Sequence, residues 1–463
     1  MARRRWPLLV LVLRVAASYL LIPLLPARPA PPPVDPAFGG LRSTPRVLAR
    51  ALTQRRVRAR RWRRAFRLLR RRQRASLRGV WLYARGARSA EQRTAVLAAD
   101  ALAASRSEWR TNKRDLAILC LDGGGMRGRN LVRIVEELEA RAGKPASELF
   151  DLVVGTSIGG CGALFVNRFG ADATAAARVA LEELQLRCFA PRRFRRFFTA
   201  GHTCVDERRA LVEELCGDDD ALRADAGARS PRSRALTWAR RLLLEGAPAL
   251  GALAARDPKS AAACAVAARR GAAGEPEPYI LRTYVPPSPP AFAGTSDATL
   301  SEAIVHTSAA PTFFPQSSVG AGEDAFALTD GGVAFNNPTL VALVESVSMR
   351  PGARIGCVVS VGVGAPPRRP SSPPSPERRA DDAAKAVLAS AYPDCVYERF
   401  DPPLAAPVDA AEAREPVLAA MEEAAAAWLN EAPQLRRLDR ALAALDRPSG
   451  LEAALRTARR FSA

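Results

Sequence analysis

The stretch LAILCLDGGGMRG, residues 116–128, decides the fold class of this chain. Its first six residues form an uninterrupted apolar run, which is typical of a strand buried on both faces of a parallel sheet. Three consecutive glycines follow, and the sequence beyond them predicts a helix over 130–138. A buried strand that leads through a turn into a helix is the repeating unit of α/β proteins.

The same alternation of strands and helices recurs along the chain. Further buried strands are predicted at Leu149–Val154, Tyr279–Val285 and Ile355–Val361, and a further helix at Cys161–Phe169. The pattern predicts a three-layer α/β domain with a central, mainly parallel sheet. We expect this domain to occupy residues 111–440, with a variable insertion at 218–278 and a helical tail at 441–463.

The net charge of the chain is concentrated at its N-terminal end. Among 463 residues, 69 Lys and Arg oppose 47 Asp and Glu, which gives a formal charge of +22. Residues 1–94 contain 24 Arg against only Asp35 and Glu91, so they account for the whole excess. The remainder of the chain is neutral overall. Because nucleic-acid-binding modules carry a basic surface of their own, this distribution disfavours nucleic acid as a partner.

The first 40 residues are predicted to be a targeting or anchor segment followed by a linker. A basic start, MARRR, precedes the apolar stretch Trp6–Leu25, which Arg14 interrupts, and the proline-rich stretch 26–36 follows. Twenty apolar residues are just enough to span a bilayer, but an internal Arg is costly there. A signal-type segment and a membrane anchor therefore both stay open.

Residues 41–94 carry 19 Arg around an apolar stripe. The stripe has spacings of three, four or seven residues and consists of Leu48, Leu52, Ala59, Trp62, Phe66 and Leu69. An Arg-rich face beside such a stripe suits the surface of an anionic membrane. We predict a membrane-proximal segment at 41–110 and a membrane-associated protein. Nucleic-acid binding, a transit peptide and a solvated charge run are the alternatives.

The cysteines and histidines give no sign of a metal or cofactor. Eight cysteines are scattered without a CxxC pair, and only His202 and His306 are present. Zinc sites need clustered Cys and His, and a disulfide framework is unusual in a chain of this length. We expect buried free thiols and chemistry that requires neither a metal nor a cofactor.

Two glycine-containing turns carry the candidate chemistry. Gly123, Gly124 and Gly125 lack side chains, so their N–H groups can converge on an anion at the start of the following helix. A glycine turn of this kind is also found in dinucleotide sites. The second turn, GTSIG at 155–159, has the spacing of a nucleophile elbow between a strand and a helix. It predicts that Ser157 is a nucleophile.

A serine nucleophile needs a base, and the sequence offers a carboxylate. Neither histidine lies in a loop typical of a catalytic histidine. Asp330, in LTDGG at 328–332, is predicted at the end of a strand. An aspartate within hydrogen-bond distance could accept the proton of Ser157.

The glycine nest, the elbow and Asp-Gly-Gly, in this order, resemble the patatin-like phospholipase family. Further stretches are similar to later motifs of that family: TSAAPTFFP at 307–315, DGGVAFNNP at 330–338, VSVGVG at 359–364 and YERFDP at 397–402. The resemblance covers about residues 115–440. Its calcium-independent phospholipase A2 and plant patatin branches are the most similar.

The resemblance implies a Ser-Asp dyad without histidine. Ser157 would be the nucleophile, Asp330 the general base, and the N–H groups of Gly123, Gly124 and Gly125 the oxyanion hole. Further residues would support the motifs, namely Asp122, Arg127, Gly128, Gly155, Gly159, Gly331 and Gly332. We expect Arg127 to brace its loop and His306 to have a packing role.

The implied activity is hydrolysis of acyl esters of membrane glycerolipids, without calcium and through an acyl-serine intermediate. A triacylglycerol lipase and an acyltransferase would use the same dyad. A non-catalytic protein that binds membranes or nucleic acid is the third alternative, and the intact motifs disfavour it. The oligomeric state is left open.

Overall fold

The computed structural model describes residues 89–106, 115–189, 211, 260–271, 274–287, 289–311, 313–320, 325–367 and 372–446. The predicted anchor, the Arg-rich stripe, His202 and most of the predicted insertion lie outside the described residues. None of the helices in the described part of the chain combines the length and the apolar composition that crossing a membrane requires.

Helices and strands alternate along the described chain as the sequence predicts. The strands are β1 (Leu116–Leu121), β2 (Leu152–Thr156), β3 (Ala262–Arg270), β4 (Pro276–Arg282), β5 (Gly294–Thr295), β6 (Ser317–Val319), β7 (Phe326–Asp330), β8 (Ile355–Val361) and β9 (Val396–Phe400). The helices are α1 (Ala90–Arg106), α2 (Gly128–Ala142), α3 (Ala146–Leu149), α4 (Ile158–Phe169), α5 (Ala173–Leu184), α6 (Leu300–Thr307), α7 (Gly332–Phe335), α8 (Thr339–Met349), α9 (Pro376–Ala391), α10 (Glu415–Leu429) and α11 (Ala432–Leu445).

The strands form one sheet whose central part is parallel. Its order is β5-β4-β3-β2-β1-β8-β9, and β6 and β7 join beside β3. Strands β3, β2, β1, β8 and β9 are mutually parallel, whereas β4 and β7 pair antiparallel with β3. The mainly parallel sheet predicted from the sequence is confirmed.

Helices cover both faces of the sheet, which makes three layers. Side chains of successive residues in a strand point to opposite faces. In β1, Leu119 and Leu121 pack into one core with α2, α4, α10 and α11, whereas Ile118 and Cys120 pack into the other with α1, α8 and α9. All six residues of β1 are buried, as its unbroken apolar run predicts.

The central strand β3 was missed by the sequence reading. It lies within residues 218–278, which were predicted to be a variable insertion, yet it pairs with β2, β4 and β7. Its sequence, AACAVAARR, is rich in alanine, which is depleted in strands. The second predicted strand also shifts, because Leu149 ends the short helix α3 and β2 begins at Leu152.

Two predicted domain borders separate helices from the body against which they pack. Helix α1 belongs to the predicted membrane-proximal range 41–110, but its Ala98 and Leu102 are completely buried in the core. Helix α11 crosses the predicted border at 440/441, and Ala441 is completely buried as well. The packed body therefore includes Ala90–Arg106 and continues to Leu445. The remaining borders stay predictions.

The pairing along β3 brings two strand ends together. Strand β2 runs parallel to β3 and ends with Thr156 opposite Val266. Strand β7 runs antiparallel to β3 and ends with Asp330 opposite the next residue, Ala267. The carboxyl ends of β2 and β7 therefore meet head to head beside β3. The residue that follows β2 is Ser157.

Candidate active site

Ser157 sits on a sharp turn between β2 and α4. Its backbone has φ 55° and ψ −124°, and it is the only non-glycine residue with positive φ in the part of the chain that the structure describes. Such a conformation is strained and is found at nucleophile elbows. A Cβ at Gly155 would lie 1.9 Å from the Gly159 carbonyl oxygen, and one at Gly159 would lie 2.3 Å from the Leu121 carbonyl oxygen. Both flanking glycines are therefore required by close backbone contacts.

The structure brings Ser157 and Asp330 into direct contact. The hydroxyl of Ser157 donates a hydrogen bond of 2.5 Å to Asp330 Oδ2. The other carboxylate oxygen, Oδ1, accepts the N–H of Gly332 at 2.6 Å. Asp330 is 4% exposed, so the surrounding chain fixes its orientation. One oxygen of Asp330 is thus held by the backbone and the other is directed at the serine.

Thr307 supports the turn that carries Ser157, a role the sequence reading did not assign. Its hydroxyl accepts the N–H of Ser157 at 3.0 Å and donates to the Val266 carbonyl at 2.7 Å. Thr307 is completely buried at the end of α6, a helix that begins with a capping box of Thr299 and Glu302. This hydroxyl satisfies an N–H group that the strained turn would otherwise leave unpaired.

His306, the neighbour of Thr307, is hydrogen-bonded to Ser317. Its Nδ1 hydrogen-bonds Ser317 Oγ at 2.8 Å, and the residue is 9% exposed. It does not line the cavity at Ser157. These contacts agree with a packing role.

One N–H group of the glycine nest is already hydrogen-bonded within the fold. The N–H of Gly123 donates to the Asn336 carbonyl at 3.1 Å, so it already has an acceptor within the fold. Gly125 has φ 57°, and the N–H groups of Gly124 and Gly125 have no acceptor among the described residues. Among the three glycines, Gly124 and Gly125 therefore have N–H groups without an acceptor in the described part of the chain, and the predicted oxyanion hole stays a prediction.

Asn336 links the nest to helix α9. Its Nδ2 donates to Glu377 Oε1 at 3.0 Å, while its carbonyl holds Gly123. Asn336 belongs to the motif 330–338, but Glu377 lies outside every motif that the sequence reading identified. Both residues line the same cavity as Ser157. No sequence pattern could have paired them, because they are 41 residues apart.

Asp122, the residue before the nest, is held by a buried arginine. Arg399 Nη2 and Nη1 donate to the two carboxylate oxygens of Asp122 at 2.6 and 3.3 Å. Arg399 also donates to Ser360 Oγ and Asp401 Oδ2. Burial raises the pKa of Asp122 to about 7, although Arg399 opposes that rise. Arg399 lies within the predicted distal motif 397–402, but its partner was not foreseen.

A cavity of about 440 Å³ opens beside Ser157. The polar part of its lining includes Ser157, Asp330, the glycine nest, Arg127, Asn336 and Glu377. The apolar part of its lining includes Ile158, Cys161, Phe165, Ala180, Leu184, Phe189, Leu211, Ile304, Phe313 and Phe314. Such a site can place an ester group against Ser157 and an apolar chain beside it.

Arg127 is one of the polar residues that line this cavity. Burial lowers the pKa of its guanidinium, and its Nε is buried without a hydrogen-bond partner within the described ranges. The expected bracing of the loop by Arg127 stays a prediction. Arg127 lines the same cavity as the glycine nest and brings a positively charged group to it.

Cysteine and acidic side chains form no metal site in the described part of the chain. No group of three or more Cys, His, Asp or Glu there is arranged to hold an ion. The cysteines at 120, 161, 188, 264, 357 and 395 are not in disulfide bonds, and Cys120, Cys188, Cys264 and Cys357 are buried. Cys204 and Cys216 lie outside the described residues.

A serine on an elbow, paired with an aspartate beside a glycine nest, is an arrangement of the serine hydrolase class. Residues 119–343 match the family model described as patatin-like phospholipase. Residues 119–343 therefore carry a match to this family, and the resemblance noted from the motifs is confirmed.

Named relatives agree with this assignment. The chain is 27% identical over 312 residues to phospholipase A I of Arabidopsis thaliana, a match that covers 56% of this chain and 21% of that protein. It is 27% identical over 258 residues to calcium-independent phospholipase A2-gamma of Oryctolagus cuniculus, covering 54% of this chain and 28% of that protein. Patatin-like protein 1 of Oryza sativa subsp. indica is 41% identical over 75 residues, covering 15% of this chain and 17% of that protein. The chain spans less than a third of the length of these relatives.

Proposed function

We propose that this protein is a calcium-independent lipid acyl hydrolase of the phospholipase A type. The observation that carries the proposal is the 2.5 Å hydrogen bond from Ser157 Oγ to Asp330 Oδ2 at the edge of an apolar cavity. A serine with a carboxylate base is a complete nucleophile pair. The apolar side of the cavity suits the fatty-acyl part of a membrane glycerolipid. The names of the relatives, which include phospholipases, favour this substrate class.

In the first half of the proposed reaction, Asp330 Oδ2 accepts the hydroxyl proton while Ser157 Oγ attacks the ester carbonyl. The carbonyl oxygen becomes an oxyanion near the N–H groups of Gly124 and Gly125, at the positive N-terminal end of α4. The C–O bond to the glycerol oxygen then breaks, and Asp330 returns the proton to that oxygen. The products of this half are a lysolipid and an acyl-serine.

In the second half, Asp330 takes a proton from water, whose oxygen attacks the acyl-serine. The oxyanion forms again at the same donors, and the proton returns to Ser157 as the fatty acid leaves. If an alcohol replaced water, the same steps would transfer the acyl group. A triacylglycerol lipase or an acyltransferase is therefore the second candidate, because the dyad serves all three reactions.

The dyad is tested by Ser157→Ala and Asp330→Asn in the full chain. Each substitution should remove nearly all turnover of a water-dispersed acyl ester, and the double variant should be little worse because the two residues act as one unit. Ser390→Ala, an exposed serine near the end of α9, is the matched control and should retain wild-type turnover. A fluorophosphonate probe should label the wild type and the control, but not Ser157→Ala.

Wild-type turnover by Ser157→Ala would overturn the serine mechanism. Turnover that disappears with EGTA and returns with calcium would overturn calcium independence. Mixed vesicles of phospholipid and triacylglycerol, supplied with and without an acceptor alcohol, then distinguish the three activities by their products.

We further propose that the N-terminal extension attaches the protein to anionic membranes. The support is the excess charge of residues 1–94 together with the apolar stretch Trp6–Leu25. Each basic residue near an anionic surface contributes about 1 kcal/mol, and salt screens this attraction over about 8 Å at physiological strength and about 3 Å at 1 M. Residues 41–463 should therefore bind anionic vesicles at low salt and be released at high salt.

A chain that starts at residue 89 is the matched comparison, because it keeps the packed helix α1 intact. Its binding to vesicles should not depend on their charge, and it should still cleave a dispersed ester at nearly the full rate. The full-length chain should resist the salt wash if Trp6–Leu25 inserts. Equal vesicle binding by 41–463 and 89–463 would contradict the electrostatic attachment.

A further inference from the structure

A second apolar cavity lies directly behind the cavity at Ser157. It has a volume of about 50 Å³ and lies between helices α2, α4 and α5. Four residues line both cavities and form the wall between them: Ile158, Cys161, Phe165 and Ala180. The two cavities are therefore neighbours, and the side chains that both share separate them.

Helix α4 provides an apolar path from the nucleophile to this wall. The helix begins immediately after Ser157, and Ile158, Cys161 and Phe165 follow at helical spacing on one face. At about 1.5 Å of rise per residue, Phe165 is about 12 Å from Ser157 along the helix. An apolar chain held as an ester at Ser157 can run along this face and meet the ring of Phe165.

The lining of the second cavity suits only an apolar occupant. Buried aliphatic side chains dominate it, including Leu131, Val135 and Leu181. Its one hydroxyl side chain, Thr174, already donates to Glu139 Oε2 at 3.2 Å. A polar group placed there would lose its hydration without gaining a partner. Because a water-sized group needs about 10–15 Å³, the space accommodates on the order of four methylene groups.

We propose that this second cavity is a subsite for the distal end of the acyl chain, and that Phe165 and Ala180 determine the longest chain accepted. This inference rests on the proposed function and adds to it a named determinant of chain length. Each methylene that enters the subsite should raise kcat/KM by a factor of about four, which corresponds to about 0.8 kcal/mol per buried methylene. For acyl chains too short to reach Phe165, an added methylene should not raise kcat/KM through this subsite.

The proposal is tested by kcat/KM for soluble esters of one alcohol, with acyl groups from butyryl to stearoyl. Ala177 lines only the second cavity, so Ala177→Leu fills the subsite without changing the wall. The ratio of long-chain to short-chain kcat/KM should fall by about tenfold or more, because two or more methylenes lose their site. Phe165→Leu thins the wall and should shift the preferred acyl group to a longer one.

Ala175→Leu is the matched control for Ala177→Leu, since Ala175 is exposed and lies on the same helix, α5, as Ala177. It should keep the wild-type chain-length profile. Phe165 is 4% exposed, and its ring packs edge-on against that of Phe169 with 5.2 Å between the ring centroids. The Phe165→Leu variant can therefore lose stability, so its thermal unfolding is measured together with its kinetics. Ala177→Leu provides an independent test of the subsite. A wild-type profile in folded Ala177→Leu would overturn the subsite while leaving the hydrolase intact. Absence of turnover on every ester in the wild type would instead overturn the proposed function.

Discussion

Two buried arginine–carboxylate pairs in this protein have similar geometry and different positions. Arg399 holds Asp122 through two hydrogen bonds of 2.6 and 3.3 Å. Arg282 holds Glu345 through two hydrogen bonds of 2.7 and 2.8 Å. The first pair directly precedes the glycine nest, whereas the second joins β4 to α8 in the core on one side of the sheet. Both pairs can contribute to the stability of the fold, but only the first is placed to fix the position of the site.

The remote pair is fully satisfied within its own surroundings. Glu345 also accepts the hydroxyl of Tyr284 at 2.8 Å, and Arg282 donates to the Phe292 carbonyl at 3.0 Å. Arg282 is 2% exposed and Glu345 is completely buried. One cation faces one carboxylate, and neither residue lines the cavity at Ser157. This pair can affect catalysis only through the stability of the fold.

The pair at the nest has one cation for two carboxylates. Arg399 contacts both Asp122 and Asp401, and Asp401 in turn accepts the N–H of Gly364 at 3.0 Å. A single guanidinium therefore connects the end of β1 with Ser360 in β8 and with the loop after β9. Because Gly123 follows Asp122, movement of this carboxylate moves the nest. The position of a buried ion pair, not its geometry, decides whether it serves the site.

The largest effect should follow from Arg399→Met. The nest would lose its support, and loss of an oxyanion donor costs about 10²–10³ in rate, so we expect kcat to fall on the order of a hundredfold. Stability should fall by about 3–5 kcal/mol at neutral pH because Asp122 is left buried without its cation. Steady-state kinetics and urea unfolding measure the two effects. Unchanged kcat in folded protein would refute the positioning role.

The same variant has a signature in its dependence on pH. The folded-state pKa of Asp122, about 7, is above the ordinary value of an aspartate, so the folded protein binds a proton that the unfolded chain releases between pH 4 and 7. The stability that comes from this proton is present at low pH and is lost as the pH rises through about 7. Removing Arg399 raises this pKa further. The stability deficit of Arg399→Met should therefore be smaller at pH 5 than at pH 8.

The second effect concerns stability alone. Arg282→Met leaves Glu345 buried without a cation and should destabilise the protein by about 3–5 kcal/mol. The double variant Arg282→Met with Glu345→Met should recover much of this loss, because apolar replacement of both partners is often neutral. At a temperature where each variant is folded, kcat should stay within about twofold of the wild type. A drop in kcat comparable to that of Arg399→Met would remove the distinction between the two pairs.

Much of the fold was predictable because its strongest elements are local patterns. Strands β1 and β8 begin and end where the apolar runs do, since continuous burial requires continuous apolar sequence. The elbow and Asp330 were also predictable, because glycines and strand ends are visible in one short segment. These parts of the protein are encoded by neighbours along the chain.

The parts that were not predictable depend on partners far away in sequence. Strand β3 is alanine-rich, and only its pairing with β2, β4 and β7 makes it a strand. Arg399 and Asp122 are 277 residues apart, and Thr307 is 150 residues from Ser157. A single sequence gives the chemistry of these side chains but not their proximity. The supports of the site were therefore harder to predict than its reacting groups.

The smallest effect should come from Glu377, which acts on the nest only through Asn336. Glu377→Ala removes the acceptor of the Asn336 side chain, and a hydrogen bond of this kind contributes about 1 kcal/mol, so kcat should fall about fivefold. KM should stay nearly constant, because in the proposed reaction the nest stabilises the oxyanion rather than the bound ester. Glu377→Gln keeps an acceptor oxygen and should restore most of kcat. The neighbouring Arg378→Ala loses only an exposed ion pair with Asp382 and is the matched control, with kcat unchanged. An equal loss in Glu377→Gln and Glu377→Ala would mean that the charge of Glu377, not its hydrogen bond to Asn336, acts on the site.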